Sequence, residues 1–376
     1  MVKKTSILAL TIVVIIAVFA GVMLLNEATI PSSTPANTSD TSPLHTSSII
    51  TSPTPSADQT GTGGSKLEVI FLDVGQADSI LLKTGDHAML IDAGNTGQDQ
   101  LMLNYLATYN VTKLDYLVAT HPHADHIGSM ASVVKAMTSI GTVIMPDKPH
   151  TTATYKNLIK VIDEKNIPLN TPSPGDVFTM GEANIQVIAP KDTSDNDLNA
   201  VSIVLRVEFG ENAFLFTGDA ETKSENNQLA SGLPLKADVL KVGHHGSRTS
   251  STQKYLNAVA PSYVIISCGV NNSYGHPHSE AMSRLVGTGA AIYRTDENGT
   301  IILVSDGKTI TVHVTRESNS STPSPVTDVT YVGNKNSKTF HLTSCKSLPT
   351  EANRVYFNSR QAAIDAGYTP CGTCKP

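Results

Sequence analysis

The chain has 376 residues, 40% of them hydrophobic, and a formal net charge of −6. This length allows one substantial buried core together with additional modules. The negative balance excludes a general basic surface that holds nucleic acid by charge alone. The absence of Trp and the 5% aromatic content argue against a base-stacking platform.

The N-terminus carries an apolar run that predicts a membrane anchor. Lys3 and Lys4 precede residues 7–25, in which only Thr11 and Gly21 interrupt the apolar side chains. About 20 such residues cross a bilayer as a helix, and the positive-inside tendency places the rest of the chain outside the membrane. Residues 1–25 are therefore a membrane anchor or, as the alternative, a cleaved signal segment that leaves a secreted protein.

Two polar stretches divide the remainder of the chain. Residues 26–65 are rich in Ser, Thr and Pro with scarcely a large apolar side chain, which predicts a disordered or extended linker. Residues 317–328 form a second, short polar linker. The sequence thus predicts a main domain at residues 66–316 and a small C-terminal module at residues 329–376.

Short β-rich runs alternate with helical stretches along the main domain. The predicted strands are 67–74, 79–83, 88–92, 114–119, 201–208, 213–217, 238–242, 263–267, 291–294, 301–304 and 310–314. The predicted helices are 98–108, 127–137, 155–164, 221–229, 252–259 and 279–286. This order predicts an α/β fold in which sheets pack on each other and helices lie outside.

The stretch that follows the predicted strand 114–119 is the strongest chemical signal in the chain. His121, His123, Asp125 and His126 lie within six positions and are all potential metal ligands. A buried strand that ends in such a turn delivers its side chains to the edge of the sheet. The pattern indicates two adjacent cations, which would lower the pKa of a water between them. A surface turn that happens to be rich in His is the alternative.

Four further turns near the ends of predicted strands offer Asp or His side chains. They contain Asp92, Asp219, the pair His244 and His245, and His276. Each signal is weak alone, because turns commonly hold Asp and Gly for backbone reasons. Together with the first cluster they predict one shared metal site.

The ordered motifs resemble the metallo-β-lactamase superfamily, and most closely the extracytoplasmic hydrolase domain of ComEC competence proteins. The resemblance spans residues 67–314 and rests on segments 72–78, 121–128, 217–221, 238–247, 274–277 and 293–296. It implies a four-layer αββα sandwich with a two-metal site. The ligands it implies are His121 and His123 for the first metal, Asp125, His126 and His244 for the second, and Asp219 as a bridge between the two.

The resemblance also implies supporting roles. His244 is preferred to His245 because it lies nearer the strand end. Asp125, Asp219 and His276 are the implied catalytic residues, and His276 could donate a proton to the leaving oxygen or hydrogen-bond a phosphate. Asp92 would orient a ligand histidine, with a turn-stabilising Asp as the equal alternative.

One stretch departs from the broader superfamily. Many members supply another histidine to the first metal just before the strand that leads to the bridging Asp, whereas residues 195–202 here contain none. Asn199 is the candidate oxygen ligand in its place, which would favour a harder ion such as manganese. Zinc is the alternative, given the four other histidines. Further along the chain, Ser247, Arg248 and Thr249 could bind an anionic substrate group or form a solvated loop.

The C-terminal module holds two close pairs of potential zinc ligands. His341 and Cys345 form the first pair, and Cys371 and Cys374 form the second. Tetrahedral structural zinc requires such pairs, and a disulfide is the rival in an oxidising exterior. The segments 353–357, 362–371 and 374–376 resemble the zinc-binding domain of the Ada family. His341 stands where that family has its methyl-accepting cysteine, so the resemblance implies a structural zinc with some DNA contact but no methyl transfer.

The whole pattern predicts a membrane-tethered, extracytoplasmic hydrolase that uses two metals against a phosphodiester, with DNA as the favoured substrate. A second hypothesis keeps the site but assigns a cell-surface phosphoester, such as a choline or teichoic phosphate, or a lactone or lactam. A third is a non-catalytic DNA-binding or surface-binding protein stabilised by metals. The sequence indicates no oligomeric state.

Overall fold

The computed structural model describes residues 65–316, 331–342, 345–357 and 360–374. The predicted anchor at residues 1–25, the first linker up to residue 64 and the second linker at residues 317–328 lie outside these ranges. Among the described residues, no helix combines the length and apolar character needed to cross a bilayer.

The main domain is a mixed α/β structure. Its strands are β1 (Leu67–Phe71), β2 (Ile80–Thr84), β3 (His87–Ile91), β4 (Lys113–Val118), β5 (Ser139–Ile144), β6 (Leu169–Asn170), β7 (Val177–Met180), β8 (Ala183–Ala189), β9 (Val204–Phe209), β10 (Asn212–Phe216), β11 (Val239–Lys241), β12 (Tyr263–Ile266), β13 (Ala291–Arg294), β14 (Ile301–Ser305) and β15 (Ile310–Val314). Its helices are α1 (Asp99–Thr108), α2 (Ala124–Ile127), α3 (Met130–Ala136), α4 (Ala153–Glu164), α5 (Thr222–Ala230), α6 (Gln253–Val259), α7 (Ser279–Val286) and α8 (Thr295–Asn298). Short 3₁₀ turns cover Asn199–Val201 and Gly243–Gly246.

The strands of the main domain form two sheets. The first has the order β15-β14-β1-β2-β3-β4-β5-β6, and the second has the order β13-β12-β11-β10-β9-β8-β7. β3 and β4 run parallel in the first sheet, and β10, β11 and β12 run parallel in the second. Since neighbouring parallel strands end at the same edge of a sheet, the loops after them gather at that edge, where α/β sheets commonly bind ligands.

Three buried apolar clusters define the layers. The first joins one face of the first sheet to α1, α3 and α4, the second lies between the sheets, and the third joins the second sheet to α6 and α7. The alternation of a β-strand explains this division: Ile70 of β1 faces the helices, while its neighbours Val69 and Phe71 face the other sheet. The layers therefore run helix, sheet, sheet, helix, and the α/β sandwich that the sequence predicted is confirmed.

The structure corrects the predicted secondary structure in several places, among them Thr295–Asn298, which forms α8 although no helix was predicted there. The single helix predicted at 127–137 is wrong, because α2 and α3 are separated at Gly128 and Ser129. A Cβ at Gly128 would lie 2.1 Å from backbone atoms of Asn95 and Thr96, so the loop after β3 packs directly on this break. The strands β5 to β8 also form where no strand was predicted.

In its described residues, the C-terminal module contains a small four-stranded sheet and one α-helix. Its strands are β16 (Tyr331–Asn334), β17 (Thr339–Leu342), β18 (Arg354–Phe357) and β19 (Thr369–Pro370), in the order β18-β16-β17-β19, and its helix is α9 (Arg360–Asp365). Among the described residues of the module, Phe340, Ala363 and Tyr368 form a small buried apolar cluster, and Val332 is buried as well. So few buried side chains provide little hydrophobic stabilisation, and such small modules usually need a further cross-link.

Candidate metal centre

The side chains predicted to bind metal gather where strands of both sheets end. Asp92 follows β3, Asp125 and His126 belong to the short helix α2 after β4, Asp219 follows β10, and His245 follows β11. The first sheet thus contributes one half of the site and the second sheet the other. Asp92, His126, Asp219 and His245 are each about 1% exposed or less.

Asp92 fixes the orientation of His126. One carboxylate oxygen of Asp92 accepts the backbone N–H of Thr120 at 2.8 Å, and the other accepts the Thr120 hydroxyl at 2.7 Å. The second oxygen also lies 2.7 Å from Nδ1 of His126, so that Nδ1 carries the proton and Nε2 faces the site. Burial raises the pKa of Asp92, although the charge of His126 opposes this shift.

Four side chains place ligand atoms close together. Asp125, His126, Asp219 and His245 each offer one such atom within 4.8 Å of the others. Nε2 of His126 lies 3.2 Å from Oδ2 of Asp219, and Nε2 of His245 lies 3.4 Å from Oδ2 of Asp125 and 3.8 Å from Oδ1 of Asp219. These are the distances expected of groups arranged around one ion rather than bonded to each other.

The buried ligand atoms also lack ordinary partners. Nε2 of His126, Nε2 of His245 and Oδ1 of Asp219 are buried without a well-aligned hydrogen bond among the described residues. Buried polar atoms are normally hydrogen-bonded, since an unpaired one costs free energy. A divalent cation would satisfy all three at once, and imidazole and carboxylate are ligands that zinc and manganese accept. These residues therefore fit a metal.

His121 and His123 form a second pair beside this group. Nε2 of His121 lies 2.9 Å from Nδ1 of His123 and 3.8 Å from Oδ2 of Asp219. Burial lowers the pKa of both imidazoles, and the neighbouring His126 lowers that of His121 further. Both rings are thus neutral, which is the form that binds metal. Asp219, a member of the four-ligand group, thus also lies beside His121, as expected of a bridge.

Asn199, the predicted oxygen ligand, lies beside His244. Its Oδ1 is buried without a hydrogen bond among the described residues, and its Nδ2 is 3.4 Å from Nδ1 of His244. The 3₁₀ turn Asn199–Val201 brings it to the edge of the site. An unpaired oxygen here is consistent with a weak ligand.

The structure places His245, rather than the predicted His244, in the four-ligand group. The side chain of His245 is 1% exposed and that of His244 is 26% exposed. Both residues have a positive φ, 45° at His244 and 52° at His245, so the chain turns sharply after β11. Because of this turn, the histidine nearer the strand end is not the one that enters the four-ligand group. Nδ1 of His245 bonds to the carbonyl oxygen of Ser267 at 2.9 Å, which leaves Nε2 facing the ligands.

His244 is instead paired with Glu221. Its Nδ1 lies 2.6 Å from Oε1 of Glu221, and its Nε2 lies 3.9 Å from Oδ2 of Asp219. Burial opposes protonation of His244, but the hydrogen bond to Glu221 raises its pKa above the usual value. His244 is therefore placed to contact a bound anion from the cleft side.

A cleft of about 240 Å³ opens over these side chains. It is lined by Gln76, His123, Ala124, Asp125, Asp219, His244, His245, Tyr274 and His276. Burial, with a contribution from His244, lowers the pKa of His276 to about 4. A neutral His276 is a poor proton donor at pH 7, which disfavours the predicted general-acid role.

His276 is better suited to hydrogen-bond a phosphate. The amide oxygen of Gln76 accepts the N–H of Gly269 at 3.1 Å, so its amide nitrogen faces Nδ1 of His276 at 3.3 Å. Nδ1 then acts as the acceptor and Nε2 carries the proton. The ring offers that N–H as a donor.

The predicted anion-binding residues do not line the cleft. The hydroxyl of Thr249 donates to Glu221 at 2.5 Å and lies 2.7 Å from the hydroxyl of Ser247, while Arg248 is exposed. Arg284 donates from its guanidinium to the carbonyl oxygens of Arg248, Ser250 and Ser251. Thr249 therefore supports Glu221, and the anion-binding role of Ser247, Arg248 and Thr249 stays a prediction.

Two residues of the site received no role from the sequence. Lys241 and Asp78 form an ion pair, and both are buried, with relative exposures of 0% and 1%. The lysine within the apolar strand β11 could have indicated a buried ion pair, because Lys is almost never fully buried unless it is paired.

The C-terminal module holds a separate group of four ligands. His341, Cys345, Cys371 and Cys374 bring ligand atoms within 4.8 Å of one another. All four cysteines of the chain lie among the described residues, and none of them forms a disulfide there. Hydrogen bonds from the backbone N–H groups of Cys374 and Thr373 lower the pKa of Cys371 to about 7. The group fits the tetrahedral zinc site that the sequence predicted.

Replacing His245 and replacing His244 should have different effects on metal affinity. Replacing His245 with alanine should lower the affinity by more than the roughly 100-fold upper range typical of groups that only hydrogen-bond to ligands. The same change at His244 should leave metal content intact, because His244 lies outside the four-ligand group. Titration against a competing chelator measures both. A larger loss for His244→Ala would refute this assignment.

Comparison with known proteins agrees with the geometry. Residues 72–270 match the family model of the metallo-beta-lactamase superfamily, and residues 321–376 match the metal binding domain of Ada. ComE operon protein 3 of Bacillus subtilis (strain 168) is 29% identical over 252 residues, which cover 62% of this chain and 32% of that protein. Competence protein ComA of Neisseria gonorrhoeae is 31% identical over 235 residues, which cover 62% of this chain and 31% of that protein.

The chain thus spans about a third of the length of these curated relatives. The crystal structure of the metallo-beta-lactamase fold protein YhfI from Bacillus subtilis aligns with 66% of this chain and 100% of its own, at 14% identity and a TM-score of 0.45. The family model covers more than half of the chain and contains the residues of the metal centre. The chain therefore belongs to the metallo-β-lactamase superfamily, and its C-terminal residues match the metal binding domain of Ada.

Proposed function

We propose that this chain is a metal-dependent phosphodiesterase that hydrolyses DNA outside the cytoplasm. The observation that carries the proposal is the convergence of buried, unpaired ligand atoms from His126, Asp219 and His245 at the base of an open cleft. Two divalent ions held there would neutralise a phosphate and lower the pKa of an attacking water.

The chain's own side chains supply the remaining chemistry. Burial would raise the pKa of Asp125, but the neighbouring imidazoles of His245 and His126 hold it below its usual value. Asp125 is therefore ionised, and its side chain is 29% exposed on the cleft, so its carboxylate can accept a hydrogen bond from the attacking water and orient it. The N–H of His276 can orient a phosphate oxygen.

DNA is the substrate class that the relatives support. One of them is named a competence protein and another, from Haemophilus influenzae, is named recombination protein 2. The C-terminal module adds local positive charge, since residues 331–374 contain five Lys or Arg and two Asp or Glu. Such a module could hold phosphates next to the hydrolase domain even though the whole chain is acidic.

The location belongs to the same proposal. The apolar run at residues 7–25, with Lys3 and Lys4 before it, would tether the enzyme to the outer face of the membrane. Resistance of the full chain to alkaline extraction from membranes would support the tether. Release into the medium in a shortened form would favour the cleaved signal segment.

The decisive assay compares two substrates. Full-length protein is incubated with linear DNA and, separately, with a small chromogenic phosphodiester, in manganese, in zinc and with a chelator. We expect metal-dependent cleavage of DNA that the chelator abolishes. Cleavage of the small diester alone would instead favour a cell-surface phosphoester, an alternative that the small cleft and the net charge of −6 support. DNA retention without hydrolysis of any ester would favour a binding protein.

Tyr274 gives a test of the substrate at the level of one side chain. It is 65% exposed, lines the cleft, and stacks on His276 with the ring centroids 5.7 Å apart and 20° between the planes. An aromatic face beside the metal centre can stack on a base, which is worth about 1–3 kcal/mol. Tyr274→Ala should therefore lower kcat/KM for DNA by roughly 5- to 100-fold, and Tyr274→Phe should leave it unchanged.

The small diester is the control for Tyr274. It carries no base, so its hydrolysis should be insensitive to Tyr274→Ala. An equal loss on both substrates would contradict base stacking and indicate that Tyr274 supports the site itself.

A further inference from the structure

The ion pair between Lys241 and Asp78 lies directly behind the metal centre. Lys241 ends strand β11 in the second sheet, and Asp78 lies on the loop between β1 and β2 of the first sheet. The ammonium group contacts the carboxylate of Asp78 and also donates to the carbonyl oxygen of Gly218 at 3.2 Å. One cation thus joins the two sheets at the edge that carries the site.

Stability alone is a weak reason for such a pair. Removing two charges from water is costly, and well-packed apolar residues of similar volume are often as stabilising as a buried ion pair. Neighbouring positions of β11 are occupied by the buried residues Val239 and Leu240. A buried lysine in this apolar setting therefore points to a role in the site.

Asp78 faces the Nδ1 atoms of two ligand imidazoles. Its Oδ1 lies 3.5 Å from Nδ1 of His245, and its Oδ2 lies 3.9 Å from Nδ1 of His126. The opposite nitrogens of both rings belong to the four-ligand group. The Asp78 carboxylate therefore packs against both rings, whose Nδ1 hydrogens are accepted by Asp92 and by the carbonyl oxygen of Ser267.

Gly218 connects Lys241 to the third ligand. Gly218 immediately precedes Asp219 and has a positive φ of 50°, which glycine adopts without strain. A Cβ at this position would lie 3.0 Å from Cβ of Thr120, so the turn packs closely against the residue that binds Asp92. By holding the carbonyl of Gly218, Lys241 fixes the turn from which Asp219 projects.

We propose that Lys241 is a positioning residue that, through Asp78 and Gly218, sets the spacing of His126, His245 and Asp219 around the metal. The inference rests on the metal-binding part of the proposed function and is independent of the substrate. Lys241 does not contact substrate, and its effect is on the geometry and affinity of the centre.

The test uses cobalt(II) as a spectroscopic probe in chains whose C-terminal site is already filled with zinc. Three variants are compared with wild type: Lys241→Met, Asp78→Asn and the double variant. Absorption spectra report ligand geometry, competition with a chelator reports affinity, and thermal unfolding without cobalt reports stability. Lys223→Met is the matched control, because Lys223 pairs with Asp195 on the surface.

Lys241→Met should lower cobalt affinity by roughly 10- to 100-fold and change the spectrum. The double variant contains no unpaired buried charge, so it should fold even if a single variant does not, while its affinity and spectrum remain altered. A double variant with wild-type affinity and spectrum would overturn the proposal and leave the pair a purely structural one. An effect of Lys223→Met as large as that of Lys241→Met would overturn it as well.

The proposed substrate and the proposed role of Lys241 can be refuted separately. A wild-type chain that binds cobalt normally but hydrolyses no DNA refutes the proposed substrate, while the altered spectra of the variants still support the role of Lys241. A wild-type chain that binds no cobalt at this centre refutes the centre and the role of Lys241 together.

Discussion

Replacing Asp219 with alanine is expected to reduce phosphodiester hydrolysis by on the order of 10³-fold or more, as loss of a central catalytic group usually does. The carboxylate of Asp219 lies within 4 Å of four imidazoles, those of His121, His126, His244 and His245. Burial would raise its pKa, but the charges of His126 and His245 hold it well below the usual value. Alanine would remove the bridging anion, and both metal sites would weaken.

Elemental analysis of the same variant distinguishes the metal of the hydrolase domain from the zinc of the C-terminal module. Asp219→Ala should lose metal from the hydrolase domain and keep the zinc of the C-terminal module, because none of the module's ligands is changed. Asp195→Ala is the matched control, since Asp195 forms a surface ion pair with Lys223, and it should retain full activity. Turnover of Asp219→Ala near the wild-type rate would refute the site.

The second large effect concerns the folding of the C-terminal module. Cys371→Ser, or removal of zinc with a chelator, should unfold residues 331–374, because the core of Phe340, Ala363 and Tyr368 is too small to hold them. Structural zinc contributes apparent binding free energies of about 10–16 kcal/mol in comparable peptides. We expect zinc content to fall by one equivalent and the module to become sensitive to protease.

Two controls complete that experiment. Thr373→Ser changes an exposed residue between the two cysteine ligands and should leave the module folded. Hydrolysis of the small diester should persist in Cys371→Ser, since the ligands of the hydrolase centre are elsewhere in the chain. Protection that a reductant removes and a chelator does not would show a disulfide instead of zinc.

The sequence predicts the fold most reliably where the pattern is strong and local. The segments of β13, β15 and α7 coincide with their predicted bounds, because each is a short apolar or amphipathic run bounded by polar residues. β5 was missed because Gly141 interrupts its apolar pattern. A Cβ there would lie 2.6 Å from the carbonyl oxygen of Asp115 in β4, so the close approach of the two strands requires a glycine that sequence patterns count against a strand.

The candidate site was predictable where its ligands lie close together in the sequence. It was not predictable where it depends on backbone angles or on the packing of the two sheets. The ligands His121, His123, Asp125 and His126 lie within six positions of the sequence, so the pattern alone indicated their chemistry. The choice between His244 and His245 depends on two successive positive φ angles, which no spacing rule indicates. The pairing of Lys241 with Asp78 joins positions 163 residues apart by their numbers, and only the packing of the two sheets brings them together.

The division of the ligands between the two sheets links metal supply to folding. Ions bound by His126 from one side and by Asp219 and His245 from the other favour the native state over the unfolded chain, by about 2.7 kcal/mol when free metal is 100 times the dissociation constant. The melting temperature should accordingly rise with the concentration of the preferred ion. A series of melting curves could then rank manganese against zinc before any substrate is known. Where metal is scarce, ion availability would govern how much of the folded chain persists.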